Sequence, residues 1–148
     1  MRLPRHPRDP LTTGACRLHA DCWEGWAARP AIEKRWGEGV QATDLSEPDD
    51  LALLAHYVAA GVANIVCTIS PQRIVLGGGV VLGGEHDEHR ERMLAAVRRQ
   101  VAALLNGYLE VEELGQGIDD YIVAAALGAD AGVLGGIVLA ERAAAAAG

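Results

Sequence analysis

The sequence predicts an α/β domain. Two stretches repeat apolar residues at helical spacing: Leu51, Leu54, Tyr57, Val58, Gly61, Val62 and Ile65, then Met93, Leu94, Val97, Val101 and Leu104. Between them lies a short apolar run, RIVL, with Pro71 before it and Gly77–Gly79 directly after it. Recurrence at three and four residues marks amphipathic helices, and a brief apolar run between breakers marks a buried strand. Helix and strand alternating along one chain give the class.

The elements follow in order. Residues 1–22 hold Pro4, Pro7, Pro10, Gly14 and a Thr pair, which predicts an irregular loop in need of a staple. A short helix starts near Glu24, and Pro30 fits the first turn of a second helix that stops at Gly37. Ser46 with Asp49 resembles a capping box opening the first long amphipathic helix. After the RIVL strand and its glycines, residues 87–105 form the second, ended by Asn106 and Gly107. Residues 109–114 read as a second strand. Asp119 opens an Ala-rich helical stretch, broken at Gly128 and resumed through Leu139, and the final AERAAAAAG reads as a fraying end.

At 148 residues the chain has the size of one domain. Half of its residues are apolar, yet Phe is absent and Ala and Gly abound, so the core is built from small, closely packed side chains. The net charge of −7 argues against non-specific nucleic-acid binding. Residues 1–37 nevertheless carry seven basic groups against four acidic ones, so a polyanion would favour this third. Three cysteines and no hydrophobic leader near Met1 suggest a reducing cytoplasm rather than a disulfide framework. Residues 121–140 are apolar, but Asp130 and four glycines interrupt them, which argues against a membrane span.

The most specific local signal is CRLHADC, which sets Cys16, His19 and Cys22 at steps of three. Thiolates and an imidazole suit zinc, which takes four such ligands in a structural site. His6 is a candidate fourth, Asp9 and Asp21 are weaker ones, and residues outside this chain are another source; the plain alternative is two free thiols and a surface histidine. Glu24 follows Cys22 closely, where its carboxylate can bind polyol hydroxyls or simply favour a helix N-terminus. LGGGVV after a strand lets backbone N–H groups approach a nucleotide, although a plain strand-to-turn reading fits equally. His86 and His89 read as a solvated polar face, and Cys67 as a small buried apolar residue. Trp23, Trp26 and Trp36 are expected to pack the N-terminal helices, with a place beside a sugar left open.

Taken in order, HPRD, CRLHADCWEGWAARPAIEKRWG, PQRIVLGGGVV, LLNGYL and IDDYIVAAALGADAGVLGGIVLAE resemble the C-terminal half of bacterial fructokinases of the ROK sugar-kinase family (repressors, open reading frames, kinases). The resemblance implies the C-terminal lobe of an actin/hexokinase-like, ribonuclease-H-like kinase: a zinc-binding loop over residues 1–23 and an α/β core over 24–148. It implies ATP-dependent phosphorylation of a hexose, fructose to fructose 6-phosphate, with Mg²⁺, in a cytoplasmic protein that is a homodimer at full length. Cys16, His19 and Cys22 fall on zinc-ligand positions, Glu24 on the sugar-binding glutamate, and Pro30, Gly77, Gly78, Gly79, Val80 and Val81 on nucleotide-binding positions.

The resemblance also places the fourth zinc ligand, the catalytic aspartate and the phosphate loop before the matched stretch, so no catalytic base is expected among these residues. Arg29 stands where the family usually has glycine. Two alternatives are a fragment of a sugar-responsive ROK regulator and a non-catalytic, zinc-stabilised interaction module.

Overall fold

A computed structural model describes residues 1–84, 86–109 and 112–147. The irregular N-terminal loop leads into helices α1 (Trp23–Ala27) and α2 (Arg29–Trp36), then the long helix α3 (Pro48–Ile69). Strand β1 (Ile74–Leu76), the short helix α4 (Gly79–Leu82) and the long helix α5 (Asp87–Leu105) follow. The chain ends with α6 (Ile118–Tyr121), strand β2 (Ile122–Ala124) and helix α7 (Ala131–Ala147). The α/β class is as expected, with a sheet of two parallel strands among the described residues.

The core is the seam between α3 and α5. Leu54, Ala55 and Val62 on α3 meet a shared apolar cluster with Met93, Val97 and Val101 on α5, all without solvent exposure. Each such Leu, Val or Met contributes about 1.5–3 kcal/mol on burial. α3 alone among the described helices is long and apolar enough to cross a membrane, and this buried seam accounts for its composition.

Several boundaries differ from expectation. α3 begins at Pro48 with Glu47 as its cap and no side-chain capping bond. Pro at the first position already has helical φ and no N–H to satisfy, and the Ser46 carbonyl instead accepts from Arg92 Nη2. Residues 112–114 form a 3₁₀ turn rather than a strand, while Glu110 and Val111 of that expected strand lie outside the described residues. The second strand is Ile122–Ala124, inside the stretch expected to be helical. Its residues pair with β1 in the register Ile74↔Ile122, Val75↔Val123, Leu76↔Ala124, and Ala125 N–H continues the ladder to the Leu76 carbonyl at 2.8 Å. Burial of Ile122 and pairing with β1 outweigh the helical preference of the surrounding alanines. Cys67 is exposed, because α3 leaves the core in its last turn.

A buried polar network ties the N-terminal loop down. Arg35 Nη2 pairs with Asp9 Oδ2 at 2.8 Å, with both side chains fully buried, and Arg35 Nη1 donates to the Trp26 carbonyl. Tyr57 of α3 donates to the same Asp9 oxygen at 2.6 Å and accepts from the His6 backbone N–H at 2.9 Å. Trp26 stacks on Tyr57 and donates its indole N–H to the Leu3 carbonyl. Burial alone would raise the Asp9 carboxyl, but bonds from Arg35, Tyr57 and Leu11 hold it below its ordinary value. Burial, together with the bond to Asp9, pushes the Tyr57 hydroxyl up to about 12.

α1 reaches α3 through a contact that only glycine allows. A Cβ on Gly61 would lie 2.0 Å from Trp23 Cε2, inside the indole ring. Gly61→Ala is expected to expel that ring and lower stability by about 1–3 kcal/mol, read as a drop in melting temperature with altered near-ultraviolet dichroism. An unchanged melting curve would contradict the contact.

Candidate metal centre and nucleotide cleft

The CRLHADC segment closes on itself. One donor atom from each of Cys16, His19 and Cys22 lies within 4.8 Å of the others, and Cys16 Sγ stands 3.9 Å from His19 Nδ1. A tetrahedral zinc sets such separations at about 3.5–3.8 Å, so a contraction of less than a bond length completes three sides of a site. The backbone prepares this shape. Ala15 N–H donates to the Gly25 carbonyl at 2.8 Å, and a Cβ on Gly14 would sit 2.1 Å from the Ala20 carbonyl oxygen. The turn therefore folds directly onto α1.

The sulfurs are engaged as acceptors. His19 N–H donates to Cys16 Sγ at 3.4 Å, and Gly25 N–H donates to Cys22 Sγ at 3.3 Å, which makes Cys22 the N-cap of α1. Backbone donors, His19 first and then Leu18, hold the Cys16 thiol below its ordinary value, toward the thiolate a metal needs. The Glu24 carboxylate acts against that shift, so its charge lies near Cys16. Glu24 itself is exposed in the first turn of α1.

The fourth-ligand candidates within this chain are occupied elsewhere. The His6 ring packs edge-on against His56 with centroids 4.7 Å apart and accepts from Arg8 N–H. Asp9 belongs to the Arg35 pair, and Asp21 pairs with Arg2 at 3.2 Å.

The second candidate site is a cleft of about 260 Å³ lined by Arg29, Ile32, Gln41, Ala42, Gly79 and Val80. It brings the start of α2, which includes Pro30, to the glycine turn at the carboxyl end of β1. Gly78 has a φ of +82°, and among the described residues no atom lies within 4 Å of where a Cβ on Gly78 or Gly79 would stand. Of the expected nucleotide positions, Gly79 and Val80 line the cleft, and Gly79 presents bare backbone to it, whereas Pro30, Gly77, Gly78 and Val81 are not among its lining residues. Val81 is buried in the core, so its side chain faces away from a ligand and only its backbone could serve one. Arg29 is largely exposed and paired with Glu33 at 2.9 Å.

Two participants escaped the sequence reading. His89 is buried rather than part of a solvated histidine pair; its ring bonds the Val80 carbonyl at 3.0 Å, bracing α4 from behind. Gln41 lines the cleft from the loop after α2, where it caps the 3₁₀ turn Ala42–Asp44 and its N–H donates to Asp44 Oδ2 at 2.8 Å. The signal available for His89 was its place on the apolar face of α5, four residues before Met93.

Comparison with known proteins gives a consistent result. The model of the ROK family matches residues 6–143. A protein named putative fructokinase from Bacillus subtilis is 38% identical over 142 residues, covering 95% of this chain and 44% of the relative. Fructokinases from Zymomonas mobilis and Pediococcus pentosaceus are 39% and 36% identical, over 92% and 97% of this chain and 42% and 45% of theirs. The chain spans less than half the length of these relatives.

Proposed function

The chain belongs to the ROK family, and from that premise we propose that it is the second lobe of a fructokinase-type enzyme that phosphorylates a hexose, fructose above all, with ATP and Mg²⁺. The carrying observation is the convergence of Cys16, His19 and Cys22 on the turn that presents Glu24. The donor set, two thiols and an imidazole, fits zinc at three of its four positions. Zinc bound there would supply structural order, fixing the entry to α1 and with it the Glu24 carboxylate.

In this reading Glu24 accepts hydrogen bonds from sugar hydroxyls. The nucleotide lies in the cleft between Pro30 and the Gly77–Val81 turn, where bare amides can approach it. Transfer breaks the bond between the γ-phosphorus of ATP and the oxygen bridging it to the β-phosphate, so that ADP leaves, and forms a new bond from a sugar oxygen, whose proton passes to a base. In this reading that base, the fourth zinc ligand and the phosphate loop are supplied by the complementary lobe. The assembled enzyme is a cytoplasmic homodimer.

Thermal melting of the zinc-loaded chain tests this. With ligand at ten times its dissociation constant, Mg²⁺–ATP and fructose are each expected to raise the melting temperature by about 3–5 °C. Glu24→Gln should abolish the fructose response and leave the nucleotide response intact. Indifference of the wild-type chain to both ligands would sink the reading.

A further inference from the structure

The glycine turn after β1 runs into α4, a single turn of helix that buries Val81 and Leu82 and leaves Gly79 and Val80 to line the cleft. A helix of four residues has little stability of its own, so its first peptides must be held from outside. His89 of α5 supplies such a hold. Its side chain is 5% exposed, and its Nε2 lies 3.0 Å from the Val80 carbonyl oxygen. A carbonyl only accepts, so Nε2 carries the proton of this bond. The Val80 carbonyl and the Val81 N–H share one rigid trans peptide, and that N–H donates to the Gly78 carbonyl at 3.3 Å. A continuous path of bonds therefore runs from α5 to Gly78, the residue whose φ of +82° shapes the turn.

Gly83 brings a second wall of the cleft to the same point. A Cβ there would lie 2.7 Å from His89 Cδ2 and 2.8 Å from Thr43 Cγ2, and Gly83 has a φ of +63°. Thr43 belongs to the 3₁₀ turn Ala42–Asp44, and Ala42 lines the cleft together with Gly79 and Val80. The imidazole thus sits where α4, α5 and that 3₁₀ turn converge with no space for another side chain. His89 is not itself among the lining residues. We propose that His89 is a positioning residue for the nucleotide: it never touches the ligand, but fixes the Val80 peptide and so keeps the Gly78–Val80 backbone in the shape the ligand meets. The inference rests on the nucleotide reading of this cleft and adds a residue that acts on it from behind.

The test is isothermal titration of the zinc-loaded chain with Mg²⁺–ATP, paired with amide hydrogen exchange on the nucleotide-free chain. His89→Leu fills the space but strands the Val80 carbonyl, and is expected to weaken nucleotide binding at least about tenfold. His89→Gln keeps an N–H donor and should restore affinity to within about threefold of wild type. Val101→Ala truncates the same helix in the core, and should lower the melting temperature while leaving nucleotide affinity unchanged. Exchange of the Val81 and Leu82 N–H groups should quicken in His89→Leu and slow again in His89→Gln.

Nucleotide affinity unaltered in His89→Leu, no recovery in His89→Gln, or an equal loss in Val101→Ala overturns the proposal and leaves the nucleotide reading standing. Unaltered exchange at Val81 overturns it as well. A wild-type chain that binds no nucleotide overturns both. Wild-type binding of nucleotide without fructose, with the His89 pattern intact, supports the positioning role and removes the sugar-kinase reading.

Discussion

Stripping metal from the zinc-loaded chain with a chelator is expected to lower its melting temperature by about 5–10 °C. Metal at a hundred times its dissociation constant adds about 2.7 kcal/mol, and a domain of this size shifts by about 2–4 °C per kcal/mol. Elemental analysis should find about one zinc per chain before stripping. Cys16→Ala should melt near the stripped wild type and ignore added zinc. Cys22→Ala should melt lower still, by about 1 kcal/mol, because its sulfur also caps α1 through Gly25 N–H. Equal melting with and without chelator would reduce the cluster to thiols and an imidazole that happen to be neighbours.

Asp9→Asn is the second large effect. It leaves the Arg35 guanidinium buried without its counter-charge, and breaking a buried pair in this way costs about 3–5 kcal/mol. Replacing both partners by apolar residues, Asp9→Leu with Arg35→Met, should recover much of the loss, since no charge is then stranded. The pH dependence has a definite sign. The Asp9 carboxyl is held below its ordinary value of 3.8, so its contribution is complete above that value and disappears as pH falls through it toward the folded-state value. Urea melts between about pH 5 and 2 should show this acid decline in the wild type and a flatter one in Asp9→Asn. A parallel decline in both would show that Asp9 is not its source.

What the sequence disclosed is what it encodes locally. The long helices declared themselves because Leu54, Val58 and Val62, or Met93, Val97 and Val101, repeat at the period of a helix face. The grouping of Cys16, His19 and Cys22 was legible because steps of three within one turn bring side chains together whatever the rest of the fold does. Ile122–Ala124 was not legible, because its strand conformation comes from pairing with β1, and three residues are too few to carry a period. The Asp9–Arg35–Tyr57 network was hidden for the same reason: it joins three elements far apart in sequence. Arg29 invited attention as a departure from the resembled family, whereas Gln41 gained a role only when folding carried it to the glycine turn.

The indole of Trp23 occupies an unusual position, pressed on Gly61 of α3, one residue after a metal-ligand candidate and one before Glu24. Its N–H is buried and has no hydrogen-bond partner among the described residues. Fluorescence from this ring therefore depends on the seating of α1 against the core, and the protein carries its own optical probe of that seating. Variants keeping Trp23 as the sole tryptophan would convert occupancy of the loop into an emission signal, with no attached dye to perturb it.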